Sequence, residues 1–426
     1  MSRFPLHTGR AEPRNIRGLP EVDEFLPKGI GLFSLDRLFA RQPSLSDLGW
    51  TPELESEFAP HAAVGCVPGR IARVDRGLCD VLITDPDPEQ ITNENGAMSS
   101  ARDATESDRE PAPENWPSCT IRADWNAIKW EAIKDRDSLR NPCTGDWAVV
   151  NLAAEPGPVV KALLPRRTAV VRGGAGERSD GQVLAANVDH VLITVSLAAK
   201  PDVGRIERLL ALAWESGAQP IVVLTKADVA YDPQRIVDVE LVAPGATVLA
   251  VSALTGEGMD VLAAVLTGAG AALIGQSGVG KSTLTNALVG IEVMATSGTR
   301  DVDEKGRHTT TTRELIPLPG GGVLIDTPGL RSVGLFGGEA GLAQAFSDIE
   351  ALAENCRFGD CEHRTEPGCA VLAALVDGTL TERRLESYRK LLRENEWIAA
   401  RTDARLASER QRIWKQRSRA ARAPRP

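Results

Sequence analysis

A chain of 426 residues is too long for one compact core, because single domains run to roughly 100–200 residues, so two to four units are expected and three fit best. The hydrophobic fraction of 42% and charged fraction of 25% exclude a chain disordered throughout, and the net charge of -9 argues against indiscriminate nucleic-acid binding. The opening "MSRFPLHTGRAEPRN" lacks the apolar stretch of a secretory leader, and no run of roughly 18 apolar residues could span a bilayer, so a cytoplasmic protein with no membrane partner is expected. Seven cysteines in such a chain predict reduced thiols, and a close cluster of them would point to metal.

Residues 1–59 read as a small N-terminal appendage in which Leu45, Leu48, Trp50, Leu54 and Phe58 line one apolar face. From residue 60 to 165 the pattern turns to strands: Ile71 and Val74, then Val81 and Ile83, alternate on either side of a turn at Gly77. The stretch 86–117 is acidic, proline-bearing and poor in branched apolar residues, so a disordered insertion is expected. Strand patterns resume in "CTIRADW", "NAIKWEAI", "CTGDWAVVNL" and "PVVKALLP". About five short strands in this length fit a small barrel of the OB or the SH3-like kind. Cys66, Cys79, Cys119 and Cys143 lack metal spacing and read as buried small residues. The glycine-rich, basic stretch 166–187 reads as a linker.

Beyond it, strands "HVLITV", "PIVVLT", "TVLAVS" and "AALIG" alternate with helical segments "RIERLLALAWESG", "PQRIVDVEL" and "GMDVLAAVL". That alternation predicts a parallel sheet with helices on both faces and ligands at the carboxyl ends of its strands. "GQSGVGKS", Gly275 to Ser282, matches the phosphate-loop pattern G-x4-G-K-S/T and falls between a strand and a helix. The amides of Gly275, Gln276, Ser277, Gly278, Val279, Gly280 and the first-turn residue Thr283 would face phosphate oxygens. Lys281 would reach the outer phosphates, and Ser282 could bind Mg²⁺.

Upstream, "TKAD" (Thr225, Lys226, Ala227, Asp228) closes a strand where a carboxylate can accept the two guanine N–H groups, an arrangement adenine cannot satisfy, while the Lys226 stem covers the base. Thr225 stands where Asn is common. In "VSAL", Ser252 and Ala253 would meet the guanine carbonyl through backbone amides. Downstream, a Thr near 310 in "GRHTTTTREL" could close on the metal, Asp326 in "VLIDTPGL" would enter the Mg²⁺ water shell, and the Gly329 amide would meet the γ-phosphate. Base-reading motifs thus precede the phosphate loop. A circular permutation accounts for the order without altering the folded site.

In the C-terminal part, Cys356, Cys361, His363 and Cys369 fall within fourteen residues, the ligand set of one closed, structural Zn²⁺ site. Residues 380–426 are helical in pattern and hold fourteen Lys and Arg against six Asp and Glu, a balance suited to nucleic-acid phosphates.

The permuted order, "GQSGVGKSTL", "GRHTTT", "DTPG", "ERSDGQVLAANVDHVLI" and "RIERLLALAWESGAQPIVVLTKAD" together resemble the ribosome small-subunit-dependent GTPase RsgA family over roughly residues 60–395. The resemblance implies a multidomain chain: an N-terminal OB-type barrel at 60–165, a circularly permuted α/β P-loop GTPase domain at 166–340, and a helical zinc-binding domain with a basic helix at 341–426. It further implies a monomer that binds GTP and GDP, acts on the bacterial 30S subunit and its 16S rRNA late in maturation, and turns over slowly until the subunit activates it. Leu330 follows the D-x-x-G motif where many GTPases carry a water-orienting Gln, so the resemblance offers His308 for that role. Gly278 replaces the Asn of potassium-dependent GTPases, so no potassium dependence is predicted. The permutation also suggests that switch two runs through 331–350 into the zinc domain while the barrel enters on the guanine-reading side. Two alternatives remain: a guanine-nucleotide-dependent RNA-binding module without turnover, and an ATPase.

Overall fold

The computed structural model of the chain describes residues 42–84, 120–126, 138–173, 181–294, 313–327, 334 and 338–402. The acidic insertion, Cys119, most of "NAIKWEAI", His308, Thr310, Gly329 and Leu330 lie outside these residues.

Helix α1 (Pro52–Ala62) starts at Thr51, whose hydroxyl accepts the Leu54 amide, and carries Pro in its first turn, where a missing N–H costs nothing. Its expected apolar face forms: Leu48, Leu54 and Phe58 are buried, and Trp50 packs edge-on against Trp147, ring centres 4.7 Å apart. This segment is less detached than an appendage, since the Asp47 carbonyl accepts the Gly322 amide at 2.8 Å from far along the chain.

Five strands, β1 (Val67–Val74), β2 (Leu78–Ile83), β3 (Thr120–Asp124), β4 (Trp147–Asn151) and β5 (Val159–Leu163), close a barrel in the order β1-β2-β3-β5-β4, with β4 pairing back on β1. Ile71, Val81, Ala123, Ala148, Val150 and Val160 fill it. Cys79 and Cys143 are buried as expected; Cys66 is only half-buried.

The expected linker is instead a β-hairpin. Strands β6 (Ala169–Gly173) and β7 (Gly181–Ala186) pair antiparallel, burying Val170, Leu184 and Ala185, and Gly173 forms a bridge to Gly334. Two strands this short, parted by glycine-rich sequence, leave too little alternation to be read.

The third unit runs β8 (His190–Ser196), α2 (Val203–Glu215), β9 (Gln219–Thr225), α3 (Pro233–Glu240), β10 (Thr247–Ala250), α4 (Met259–Leu266), β11 (Gly270–Gly275), α5 (Lys281–Val289), β12 (Glu314–Pro317) and β13 (Val323–Asp326). The sheet order is β10-β9-β8-β11-β13-β12. Five strands are parallel, but β12 joins β13 antiparallel, so the sheet is mixed rather than wholly parallel. Central strands are apolar on both faces: Leu192, Val223 and Leu273 pack with Leu262, Leu266 and Leu284, while Ile193, Val222 and Ala272 share a cluster with Leu209 and Leu210.

The barrel does not sit on the guanine-reading side. It packs against the opposite edge of the sheet, where Arg73 pairs with Glu314 at 3.6 Å and the Thr144 hydroxyl donates to the Arg313 carbonyl at 3.3 Å. Gly145 makes the closest approach: at φ +94°, a Cβ there would lie 2.2 Å from the Ala186 carbonyl oxygen and 2.7 Å from Ile325 Cδ1. Chain entry and docking face are separate, because β7 crosses beneath the barrel before β8 enters the middle of the sheet.

Of the C-terminal helices α6 (Glu339–Ala345), α7 (Ser347–Ala353), α8 (Ala370–Asp377) and α9 (Glu382–Thr402), α6 and α9 pack on α2, while α7 packs on α6 and α8. Glu207 of α2, fully buried, accepts from Arg383, Arg384 and Ser387. Among the described residues, no helix is long and apolar enough to cross a membrane.

Candidate nucleotide and metal sites

Strands β9, β8, β11 and β13 are adjacent and parallel, so their carboxyl ends lie along one rim. Thr225 ends β9, Ala250 ends β10, Gly275 ends β11 and Asp326 ends β13, which brings four motifs separated in sequence to that rim. The base-reading and phosphate motifs are directly joined. The Thr225 hydroxyl donates to the Val279 carbonyl at 2.5 Å, and Lys226 Nζ donates to the Gly278 carbonyl at 3.0 Å. Thr225 therefore braces the phosphate loop from the position where Asn is common. Lys226 adopts φ +61°, a left-handed turn that lets the chain leave β9 abruptly.

Asp228 is held by the Ser252 hydroxyl, which donates to its Oδ1 at 2.6 Å. The Ser252 amide donates to the Glu257 carbonyl at 2.9 Å and closes the turn after β10. Ala227 is buried with its amide on the Val251 carbonyl, and Ala253, next to Ser252, is half-buried.

In the phosphate loop, Gln276, Ser277, Gly278, Val279 and Gly280 join β11 to α5, whose first turn holds Lys281, Ser282 and Thr283. Lys281 is buried and folds over the loop, donating to the carbonyls of Gly275 and Gln276 at 3.2 and 3.1 Å. Burial lowers the pKa of its ammonium, and the nearby Asp326 charge pulls it back up. Asp326 stands opposite Leu273 across the ladder. Burial pushes its carboxyl up to about 6, against the pull of Lys281 and with a further push from Glu314. Its Oδ1 is buried and accepts no hydrogen bond among the described residues. A buried, unpaired carboxylate oxygen beside the first turn of a phosphate-loop helix fits a hydrated divalent cation, which would relieve both its desolvation and its charge. Glu314, on the neighbouring strand, was not singled out in the sequence; its only local signal is a position next to the "TTTT" run.

The metal cluster forms as the spacing predicts. Ligand atoms of Cys356, Cys361, His363 and Cys369 all lie within 4.8 Å of one another. Cys356 Sγ to Cys369 Sγ is 3.8 Å, and His363 Nδ1 lies 3.5 and 3.4 Å from those two sulfurs. A tetrahedral zinc has S···S edges of about 3.8 Å and S···N edges of about 3.6 Å, given its bond lengths of about 2.3 and 2.0–2.1 Å. The residues therefore fit Zn²⁺. Burial lowers the His363 pKa, favouring the neutral imidazole that a metal requires. The loop is braced by Glu366, whose carboxylate accepts the amides of Glu362, Arg364 and Thr365; its own backbone amide first, then these bonds, hold its pKa down at about 2. Arg389 donates to the His363 carbonyl from α9.

A phosphate loop tied to a guanine-type loop that precedes it in the chain defines a circularly permuted P-loop GTPase. The family model described as RsgA GTPase matches residues 163–336. A relative from Streptomyces avermitilis, named small ribosomal subunit biogenesis GTPase RsgA, is 53% identical over 373 residues, spanning 87% of this chain and 90% of the relative. One of the same name from Methanosarcina acetivorans is 45% identical over 370 residues, spanning 85% and 89%. The crystal structure of YjeQ from Thermotoga maritima superposes with a TM-score of 0.52 over 78% of this chain and 98% of that one; at 22% identity it speaks for the fold. The chain belongs to the RsgA GTPase family.

Proposed function

We propose that this protein hydrolyses GTP to GDP and phosphate in the biogenesis of the small ribosomal subunit, binding the 30S particle and contacting 16S rRNA late in its maturation. The observation that carries the reading is the direct joining of "TKAD" to the phosphate loop through Thr225 and Lys226. Asp228 would read guanine, and Lys281 would leave the loop carbonyls for the outer phosphates. Ser282 and Thr310 would hold Mg²⁺, with Asp326 in its water shell; the ion, when bound, would neutralise negative charge on the phosphates. Gly329 would donate to the γ-phosphate. His308 would orient the attacking water in place of a Gln, because Leu330 can neither donate nor accept a hydrogen bond. A switch histidine aligned only in the assembled complex gives slow intrinsic turnover and stimulation by the subunit.

The finer domain reading belongs to the same proposal. The strand order β1-β2-β3-β5-β4 supports an OB-type barrel over 60–165, followed by the GTPase domain at 166–340. A zinc domain at 341–426 would be closed structurally by one Zn²⁺, its basic end facing RNA. A cytoplasmic monomer suits that role.

Phosphate release, measured with and without purified 30S subunits, tests the reading. Strong stimulation is expected, abolished by Lys281→Ala and weakened by His308→Ala. Tight GDP binding with no turnover on subunits would favour the binding-module alternative. Competition by ATP, unaffected by Asp228→Asn, would favour an ATPase.

A further inference from the structure

We propose that the barrel reaches the metal end of the nucleotide site through an electrostatic relay, Arg73 to Glu314 to Asp326, in which Arg73 and Glu314 are positioning residues. The inference rests on the reading of Asp326 as a carboxylate of the magnesium water shell. Arg73 lies near the end of β1 with its Nη1 3.6 Å from Glu314 Oε1; side-chain exposure is 8% and 16%. On the barrel side Arg73 also pairs with Asp75 at 3.4 Å, and Asp75 is held by Arg122 at 2.7 Å, so the guanidinium is aimed from within a charged network. Glu314 opens β12, and its partner across the antiparallel ladder is Asp326, the last residue of β13. Residues directly opposite in such a ladder share a face, with Cβ atoms about 4.5–5.5 Å apart. The Glu314 charge therefore stands beside the Asp326 carboxylate.

The consequence follows from charge alone. With Arg73 engaged, the pair Arg73–Glu314 presents little net field to the site. Removing Arg73 makes the local charge one unit more negative, which disfavours the phosphates of a nucleotide and favours a divalent cation. Removing Glu314 makes it one unit more positive and does the reverse. Exposure this low keeps the interaction from being screened as a surface pair would be.

The test uses the full chain and a fluorescent GDP analogue, with Kd measured in Mg²⁺ and in excess EDTA; the readout is the ratio of the EDTA value to the Mg²⁺ value. Arg73→Met keeps the aliphatic bulk, and Glu314→Gln keeps the shape. Arg73→Met is expected to raise the ratio by about threefold or more and Glu314→Gln to lower it by a similar factor, the scale of one unpaired charge at partly buried range. The double variant, again neutral, should return close to the wild-type ratio. A packing role would instead move both single variants the same way, with a loss of melting temperature and the double variant the most affected; that pattern overturns the relay. Wild type dependent on Mg²⁺ with both single variants unmoved overturns the relay and leaves the site reading standing. Wild type indifferent to Mg²⁺ overturns both.

Discussion

The two flanks of the GTPase unit are attached by different chemistry. On the barrel side the contacts run mainly to backbone: Arg70 donates to the carbonyl of Asn187, the Asn187 side chain donates to the Gly145 carbonyl at 3.2 Å, and the Ala186 amide donates to the Thr144 carbonyl at 3.1 Å. On the C-terminal side they are ion pairs sunk into helix surfaces: Glu207 with Arg383 and Arg384, Arg384 with Asp348, Arg208 with Glu394. Backbone contacts fix distance and orientation and tolerate no added atoms. Buried ion pairs tolerate shape changes but not the loss of one partner. The barrel joint should therefore fail to steric substitutions and the C-terminal joint to charge substitutions.

Metal removal should give the largest effect, confined to one flank. Zinc binding contributes about 10–16 kcal/mol in small zinc-folded peptides, so a strong chelator is expected to unfold the loop from Cys356 to Cys369. Limited proteolysis should then cut within that loop while GDP affinity and the barrel remain intact. Loss of GDP binding on chelation would contradict the separation of the flanks.

Next comes Glu207→Gln. It leaves Arg384, 4% exposed, with one carboxylate partner instead of two. Breaking a buried pair from one side costs about 3–5 kcal/mol, and the lower end applies because Asp348 remains on Arg384. Urea unfolding should show this loss. A cost below that of a surface substitution would mean that the C-terminal joint is held by packing around Phe346 and Tyr388 instead.

For the barrel joint the matching substitution is Gly145→Ala. A methyl group placed 2.2 Å from the Ala186 oxygen must push β4 and β7 apart, and the residue's φ of +94° adds strain of its own. Overpacking of this kind costs about 1–3 kcal/mol. Because Ile325 lies on the far side of the same contact, next to Asp326, the variant should also weaken Mg²⁺-dependent GDP binding, which Glu207→Gln should leave alone. Equal effects of the two variants on nucleotide binding would erase the distinction between the joints.

The same contrast explains what was legible in the sequence. Phosphate loop, "TKAD" and the Cys₃His cluster are readable because each is a short run whose chemistry is complete in itself, and the structure brings the first two together by ordinary strand adjacency. The apolar face of α1 was readable by periodicity. The joints were not. Arg73 finds Glu314, and Glu207 finds Arg384, across long stretches of the chain, and an isolated Arg or Glu in a strand or helix reads as a solvated face. The β6–β7 hairpin was hidden by glycines, and with it the barrel's seat on β12 and β13 rather than at the guanine end. The Ser252 hydroxyl's hold on Asp228 is a contact between two loops that neither tetrapeptide shows by itself.

Arg167→Ala should have the smallest effect, although the residue sits where the chain passes from barrel to GTPase unit. Its pair with Asp189 is 3.3 Å long but exposed on both sides, at 43% and 38%. Such pairs are screened by water and salt and contribute about 0–1 kcal/mol. The neighbouring Arg166 differs in kind: it grips Asp146 with two nitrogens and donates to the carbonyls of Leu139 and Asn141, holding the turn that carries Gly145. Urea midpoints for Arg167→Ala and Arg166→Ala should therefore separate, the first staying within about 0.5 kcal/mol of wild type and the second losing about 2 kcal/mol or more as a buried carboxylate is left without its cation. If the two coincide, the covalent connection rather than the bonded turn orients the barrel, and the joint on β12 and β13 follows from chain length instead of causing the fit.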